Sequence, residues 1–204
     1  MPALPIAGVI LCGGQSKRMG RVNKASLLLA GKPLLQHVID RVSPQVERLL
    51  LSVESDNPGL AFSDLEQVAD LRPGHNGPLG GLLSALECVA PRYDWLLLVP
   101  CDAPFLPRDL GERLLRRVLD AGRSGCAVRY DGVVQPTFSI WNRRLIPRLR
   151  TAVLEQGQAG FRKFLDTDPE SLLDWEVMEP SPFFNVNDAA ALAEAERVLS
   201  SENT

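Results

Sequence analysis

The chain is short of the residues that most often carry chemistry by themselves. Only two of its 204 residues are histidine, His37 and His75, and four are cysteine, Cys12, Cys88, Cys101 and Cys126. The cysteines are far apart and form no C-x-x-C pair, which argues against a disulfide framework and against a zinc cluster. Net charge is −3, so no global field favours nucleic acid or an anionic membrane, and any anion must be held by local charge. No apolar run approaches the ~18 residues of a membrane span. Residues 1–5 are uncharged and too short for a signal peptide. These absences predict a protein of the reducing cytoplasm, bound to neither membrane nor nucleic acid.

What is present suits one domain over residues 1–204, with 45% apolar and 23% charged residues and enough of a core to fold alone. Short apolar runs alternate with amphipathic stretches. Strands are predicted at Ile6–Leu11, Arg48–Val53, Gln67–Ala69, Trp95–Val99, Cys126–Arg129 and Val133–Ser139. Helices are predicted at Leu34–Val42, Leu79–Ala90, Pro107–Ala121, Arg143–Glu155, Phe161–Leu165 and Ala189–Leu199. That alternation implies an α/β fold with a largely parallel sheet. The two strands near Arg123–Ser139 break it and predict a short antiparallel hairpin or edge. Ligands of such sheets bind beyond the carboxyl ends of the strands.

The first strand empties into Leu11-Cys12-Gly13-Gly14-Gln15-Ser16-Lys17-Arg18-Met19-Gly20, with Lys24 close behind. A glycine-rich turn after a buried strand exposes backbone N–H groups to an anion, and Lys17, Arg18 and Lys24 add charge. The spacing fits neither the dinucleotide fingerprint nor the Walker loop. A polyphosphate, above all a nucleoside triphosphate, is the ligand this loop predicts.

Three further segments converge on the same end of the sheet. Pro100-Cys101-Asp102-Ala103-Pro104 holds a carboxylate at the mouth of a buried strand, where it either binds a cation or caps a turn. Asp70 leads a run of glycine and proline to Gly77-Pro78-Leu79-Gly80. That turn sets main-chain groups at a helix start, apt for a purine edge or a phosphate. In Phe184-Asn185-Val186-Asn187-Asp188 the two asparagines share a face of an extended segment, yet Asn187-Asp188 is also a good helix start. His37 falls within a helix and reads as a packing residue.

In this order, and across nearly the whole chain, these segments resemble the molybdenum cofactor guanylyltransferase family, a class of Rossmann-like nucleotidyltransferases. Gly31-Lys32-Pro33-Leu34 and Gln135-Pro136-Thr137-Phe138 also match. The resemblance implies a Rossmann-like three-layer sandwich and transfer of GMP from GTP to molybdopterin or molybdenum-molybdopterin, releasing pyrophosphate. It implies nucleotide contacts from Leu11, Cys12, Gly13 and Gly14, from Ser52 and Asp70, and from Gly77, Pro78 and Leu79. It places Lys24 on the phosphates, Asp102 on Mg²⁺, and Arg18, Asn185 and Asn187 toward the pterin. Arg18, Lys24 and Asp102 would be the catalytic group, and molybdoenzyme apoproteins or chaperones would receive the product.

Three positions depart from the family pattern: Cys12 stands for an alanine, Asn23 for an aspartate and Ser52 for an asparagine. The other readings are a cytidylyl- or sugar-nucleotide transferase of the same fold, or a nucleotide-binding adaptor without chemistry.

Overall fold

The computed structural model describes residues 4–12, 15–16, 22–53, 64–69, 77–161, 164 and 171–202. Seven strands form one sheet: β1 Leu4–Leu11, β2 Val46–Val53, β3 Glu66–Ala69, β4 Trp95–Pro100, β5 Gly125–Tyr130, β6 Val133–Asn142 and β7 Leu172–Trp175. Their order is β7-β5-β6-β4-β1-β2-β3. All neighbours are parallel except β6, which runs antiparallel to β4 and β5. The chain leaves β1 toward β2 and β3, then returns to place β4 on the other flank of β1. The switch point therefore lies between β1 and β4.

The strands alternate as the pleat requires. Ile6 and Ile10 of β1 and Leu97 and Val99 of β4 enter one core. Ala7, Val9 and Leu11, with Leu96 and Leu98, enter the other. Helices α1 Leu34–Val42 and α3 Leu110–Ala121 close the first face through Leu35, Val38, Leu114 and Val118. Helix α2 Gly77–Val89 and helix α4 Ile146–Arg150, which runs on into a π-turn over Thr151–Glu155, close the second. Helix α5 Ala189–Glu202 packs on a third, smaller cluster with Leu29, Leu34 and Phe105. The expected α/β three-layer sandwich is what forms. Among the described residues no helix is long and apolar enough to cross a membrane.

Several boundaries differ from expectation for local reasons. The hairpin forms, with Val133 opposite Tyr130, but it is built into the sheet rather than laid on its edge, because Ser139–Asn142 pair with Leu98–Trp95. Gln135-Pro136-Thr137-Phe138 falls where its register slips, and such an irregularity is the place a strand can accept proline. The edge is β7, whose four residues carry too little pattern to be read as a strand. Arg129 ties it down through a two-pronged pair with Asp174 at 2.5 and 2.7 Å. Helix α3 starts at Leu110 and not at Pro107. The buried Gln45 donates to the carbonyls of Arg41 and Pro107 and accepts the N–H of Gly111 at 2.8 Å, so it serves the helix's first turn. Residues 162–163 and 165 of the helix expected at Phe161–Leu165 lie outside the described residues.

Helix α2 begins at Gly77 itself, two residues before its expected start, with φ +54° there. A Cβ on Gly77 would stand 2.5 Å from the carbonyl oxygen of Ala159. Left-handed strain of ~1–2 kcal/mol and overpacking of ~1–3 kcal/mol then act together. Gly77→Ala is expected to cost about 2–4 kcal/mol on these scales, read as a lowered urea midpoint. An unchanged midpoint would show that the Ala159 segment yields freely.

Candidate active site

The site is built on the level ends of three parallel strands. Leu11 is in register with Ser52 of β2 and Pro100 of β4. The ladder continues one step past the strands, where the Cys12 N–H donates to the Ser52 carbonyl at 2.8 Å and the Cys101 N–H to the Leu11 carbonyl at 3.1 Å. Everything C-terminal to these bonds emerges at one place. Helix α2 starts over that place, since a Cβ on Gly81 would lie 2.5 Å from Ser52 Oγ and 2.9 Å from Leu11 Cδ2. Only a glycine lets the helix sit so close. The Ser52 side chain is buried beneath it.

Asp102 is held from both sides of its peptide. Its carbonyl accepts the N–H of Val186 at 2.8 Å. Its carboxylate accepts from Lys24 Nζ at 2.9 Å, with the two side chains 13% and 20% exposed. The same ammonium donates to Asn187 Oδ1 at 2.5 Å. Lys24 opens a short turn, Lys24–Ser26, locked by the fully buried Ala25. Residues 78 and 163 positions apart in sequence thus share one cation.

The neighbouring Asp188 settles which residue starts α5: its Oδ1 accepts the Ala191 N–H at 2.9 Å, leaving Asn187 free for Lys24. Asn185 has its Oδ1 buried without a hydrogen-bond partner. Such an acceptor costs ~1–3 kcal/mol unless something donates to it.

Aromatic packing fixes this segment in place. Phe183 is buried among Phe138, Trp175 and Tyr130 at centroid distances of 4.9, 5.3 and 5.5 Å, all edge-on. Phe184 meets Phe105 at 6.4 Å.

At the start of α2, Gly77 and Pro78 are exposed, whereas Leu79 is buried and its N–H already donates to the Ala159 carbonyl at 3.1 Å. The Gln156–Gly160 stretch had no sequence signal beyond loop composition, and its role under α2 was not expected. The Phe183 anchor did have one, in the paired aromatics ahead of Asn185. His37 is a packing residue as expected, its Nε2 lying 2.9 Å from the Leu29 carbonyl. Gly13, Gly14, Arg18 and Asp70 lie outside the described residues.

The Cys12 thiol is pushed well above the usual thiol range, first by its contact with the Cys101 thiol, then by burial and the nearby Asp102 carboxylate. Cys126 is raised to about 12 by burial. Among the described residues no three carboxylate, histidine or cysteine side chains gather as a metal cage. One carboxylate is nonetheless the donor set Mg²⁺ takes where substrate phosphates and water complete its shell. Asp102 fits that role provided Lys24 gives way.

Comparison with known proteins follows the same lines. The model of the MobA-like NTP transferase domain matches residues 8–172. A molybdenum cofactor guanylyltransferase of Rhodopseudomonas palustris (strain BisB5) is 37% identical over 200 residues, covering 97% of this chain and 94% of its own. One from Vibrio cholerae is 37% identical over 191 residues, covering 91% and 89%. Among solved structures, molybdopterin-guanine dinucleotide biosynthesis protein A of Archaeoglobus fulgidus superposes with a TM-score of 0.76 at 21% identity, covering 96% of this chain and 100% of that one. At that identity the likeness is one of fold.

Phe183→Ala is expected to cost about 3–5 kcal/mol, the scale for emptying a buried aromatic site, seen as a fall in the thermal midpoint. Nucleotide binding, measured below the new midpoint, should weaken with it. A stability loss under 1 kcal/mol on the same scale would show that the asparagine segment is held by something else.

Proposed function

We propose that this chain, which belongs to the molybdenum cofactor guanylyltransferase family of MobA-like NTP transferase domains, transfers GMP from GTP to the phosphate of molybdopterin or its molybdenum form. An oxygen of the acceptor phosphate attacks the α-phosphorus of GTP, the bond to the β-phosphate bridge breaks, and pyrophosphate leaves. The observation that carries this reading is the Lys24 ammonium, set between Asp102 and Asn187 where β1, β2 and β4 end together.

The acceptor phosphate is already an anionic nucleophile, so the reaction asks for no strong general base. That suits a site in which His37 is occupied with packing. The difficulty is electrostatic, one anion approaching another, and it is met by fixed positive charge aimed at the triphosphate. In this proposal Lys24 moves from Asp102 to the phosphates, and Gly13 and Gly14 offer backbone N–H groups. Mg²⁺, when bound, supplies positive charge to the phosphate oxygens and the departing pyrophosphate. Asp102 holds it. Leu11, Cys12 and Ser52 line the nucleotide side with Asp70, Gly77, Pro78 and Leu79. Arg18, Asn185 and Asn187 receive the pterin, and the buried Oδ1 of Asn185 is an acceptor suited to its N–H groups. Orientation of the two substrates supplies up to ~7–11 kcal/mol more. The setting is cytoplasmic, and the product passes to molybdoenzyme apoproteins or their chaperones.

The purified chain with Mg²⁺, molybdopterin and GTP should release pyrophosphate and yield a dinucleotide of the expected mass, while CTP should not replace GTP. Release with CTP alone would make it a cytidylyltransferase, and release with neither would make it a binder. Asp102→Asn should keep the fold, because the amide oxygen still accepts from Lys24 and desolvation offsets most of what the charged pair gains. Its turnover should fall by about 10²–10³, the scale for losing one electrostatic stabiliser of the transition state. Full turnover of Asp102→Asn with Mg²⁺ would remove Asp102 from the metal.

A further inference from the structure

We propose that Cys12 and Cys101 form a dithiol that hydrogen peroxide closes slowly into a disulfide across the floor of the nucleotide site. The two residues are 89 apart in sequence, yet each lies one step past the register pair Leu11 and Pro100. The bond from the Cys101 N–H to the Leu11 carbonyl, 3.1 Å, carries the β1–β4 ladder to their level. Opposed positions on adjacent strands are ~4.8 Å apart, inside the ~4.4–6.8 Å of Cα separation that a disulfide spans. Both side chains point into the same core, with Ile10 and Val99, and the Cys12 thiol donates to the Ile10 carbonyl at 3.6 Å in the reduced protein.

All four thiols are free, and only these two have each other as neighbours among the described residues. Cys88 lies beside Arg48 and Glu66, and Cys126 is buried elsewhere. Small size and an apolar thiol would make the pair good core filling and nothing more. The distinguishing fact is position. Cys12 is followed by Gly13 of the phosphate loop and Cys101 by Asp102, so a bond between them joins the two loops the reaction depends on.

The chemistry balances with hydrogen peroxide as oxidant. One thiol is oxidised to a sulfenic acid as the peroxide O–O bond breaks and one water leaves. The second thiol then attacks that sulfur, forming S–S and releasing a second water. A small oxidant is required and the reaction is slow, because the residues are only 2% and 6% exposed, a bulky disulfide cannot reach them, and thiolate, the reacting form, is disfavoured at Cys12. Closing the sulfurs to ~2.05 Å locks the spacing of the two strand ends, and a misplacement of ~1 Å among reacting groups costs ~10²-fold. The effect on turnover rests on the guanylyltransferase reading, but the covalent step does not.

The test uses the full chain treated with hydrogen peroxide, quenched with catalase, then denatured, alkylated and mapped by mass. Expected are alkylated Cys88 and Cys126, a linked Cys12–Cys101 peptide pair, and recovery of both thiols with dithiothreitol. Pyrophosphate release should fall at least ~10-fold and return on reduction. Cys101→Ala, compared with its own untreated rate, should be insensitive. Individually alkylated or sulfinic Cys12 and Cys101 would overturn the dithiol. A linked pair with unchanged turnover would overturn its bearing on the site. An untreated protein that releases no pyrophosphate would defeat the functional reading, and the peptide map would still decide the disulfide.

Discussion

One constraint underlies the site: β1 pairs in parallel with β2 on one side and β4 on the other, with Leu11, Ser52 and Pro100 at one level. A one-residue slip would turn every side chain of a strand to the opposite face. Here the apolar alternation of Ile6, Ile10, Leu97 and Val99 against Ala7, Val9, Leu96 and Leu98 forbids it. Burial on both faces therefore does more than stabilise the sheet. It decides that the chain leaves β1 at Cys12 and presents the carboxylate after Cys101 at the same end of the sheet.

The second requirement is to bring the C-terminal segment back to that space, and a separate packing unit does so. Phe183 is seated among Phe138, Trp175 and Tyr130, and Val186, Phe184 and α5 pack on Leu29, Leu34 and Phe105. Between these anchors the chain is neither helix nor strand, and its N–H at Val186 meets the Asp102 carbonyl. Asn187 is thereby delivered to a lysine 163 positions earlier. The polar contacts at the site are few. Apolar contacts around it make them possible.

Much of this was legible in the chain, for a physical reason. Strands buried on both faces, such as β1 and β4, read as continuous apolar runs, and the residues that follow them had to lie at the carboxyl edge. So Lys24, Asp102 and the Gly77–Gly81 turn were visible as members of one site before any geometry. What could not be read is whatever depends on pairing between distant residues. β7, four residues long, exists as a strand because Tyr130 and Arg129 of β5 give it partners. Whether the Asn187-Asp188 pair meets a ligand or starts a helix was even on spacing; the structure divides the roles, Asp188 accepting the Ala191 N–H and Asn187 meeting Lys24. The Cys12–Cys101 contact follows from the same parallel register. Wide spacing argues against a disulfide framework, yet spacing alone says nothing about two cysteines that a sheet sets side by side.

The electrostatics of Lys24 then follow from where it sits. An ammonium 20% exposed against a carboxylate 13% exposed has lost much of its hydration, and pairs of this kind gain little net energy because desolvation offsets attraction. A pair close to balance exchanges partners readily. Under the guanylyltransferase reading, an entering triphosphate offers Lys24 more negative charge than Asp102 does, and the carboxylate it leaves is at once free to hold a divalent ion. Asn187 is neutral, so it orients the ammonium without competing for it as a second carboxylate would. Replacing that amide by an acid would deepen the resting pair and oppose the exchange. On that reading, Lys24 is held well enough to be aimed and weakly enough to be given up.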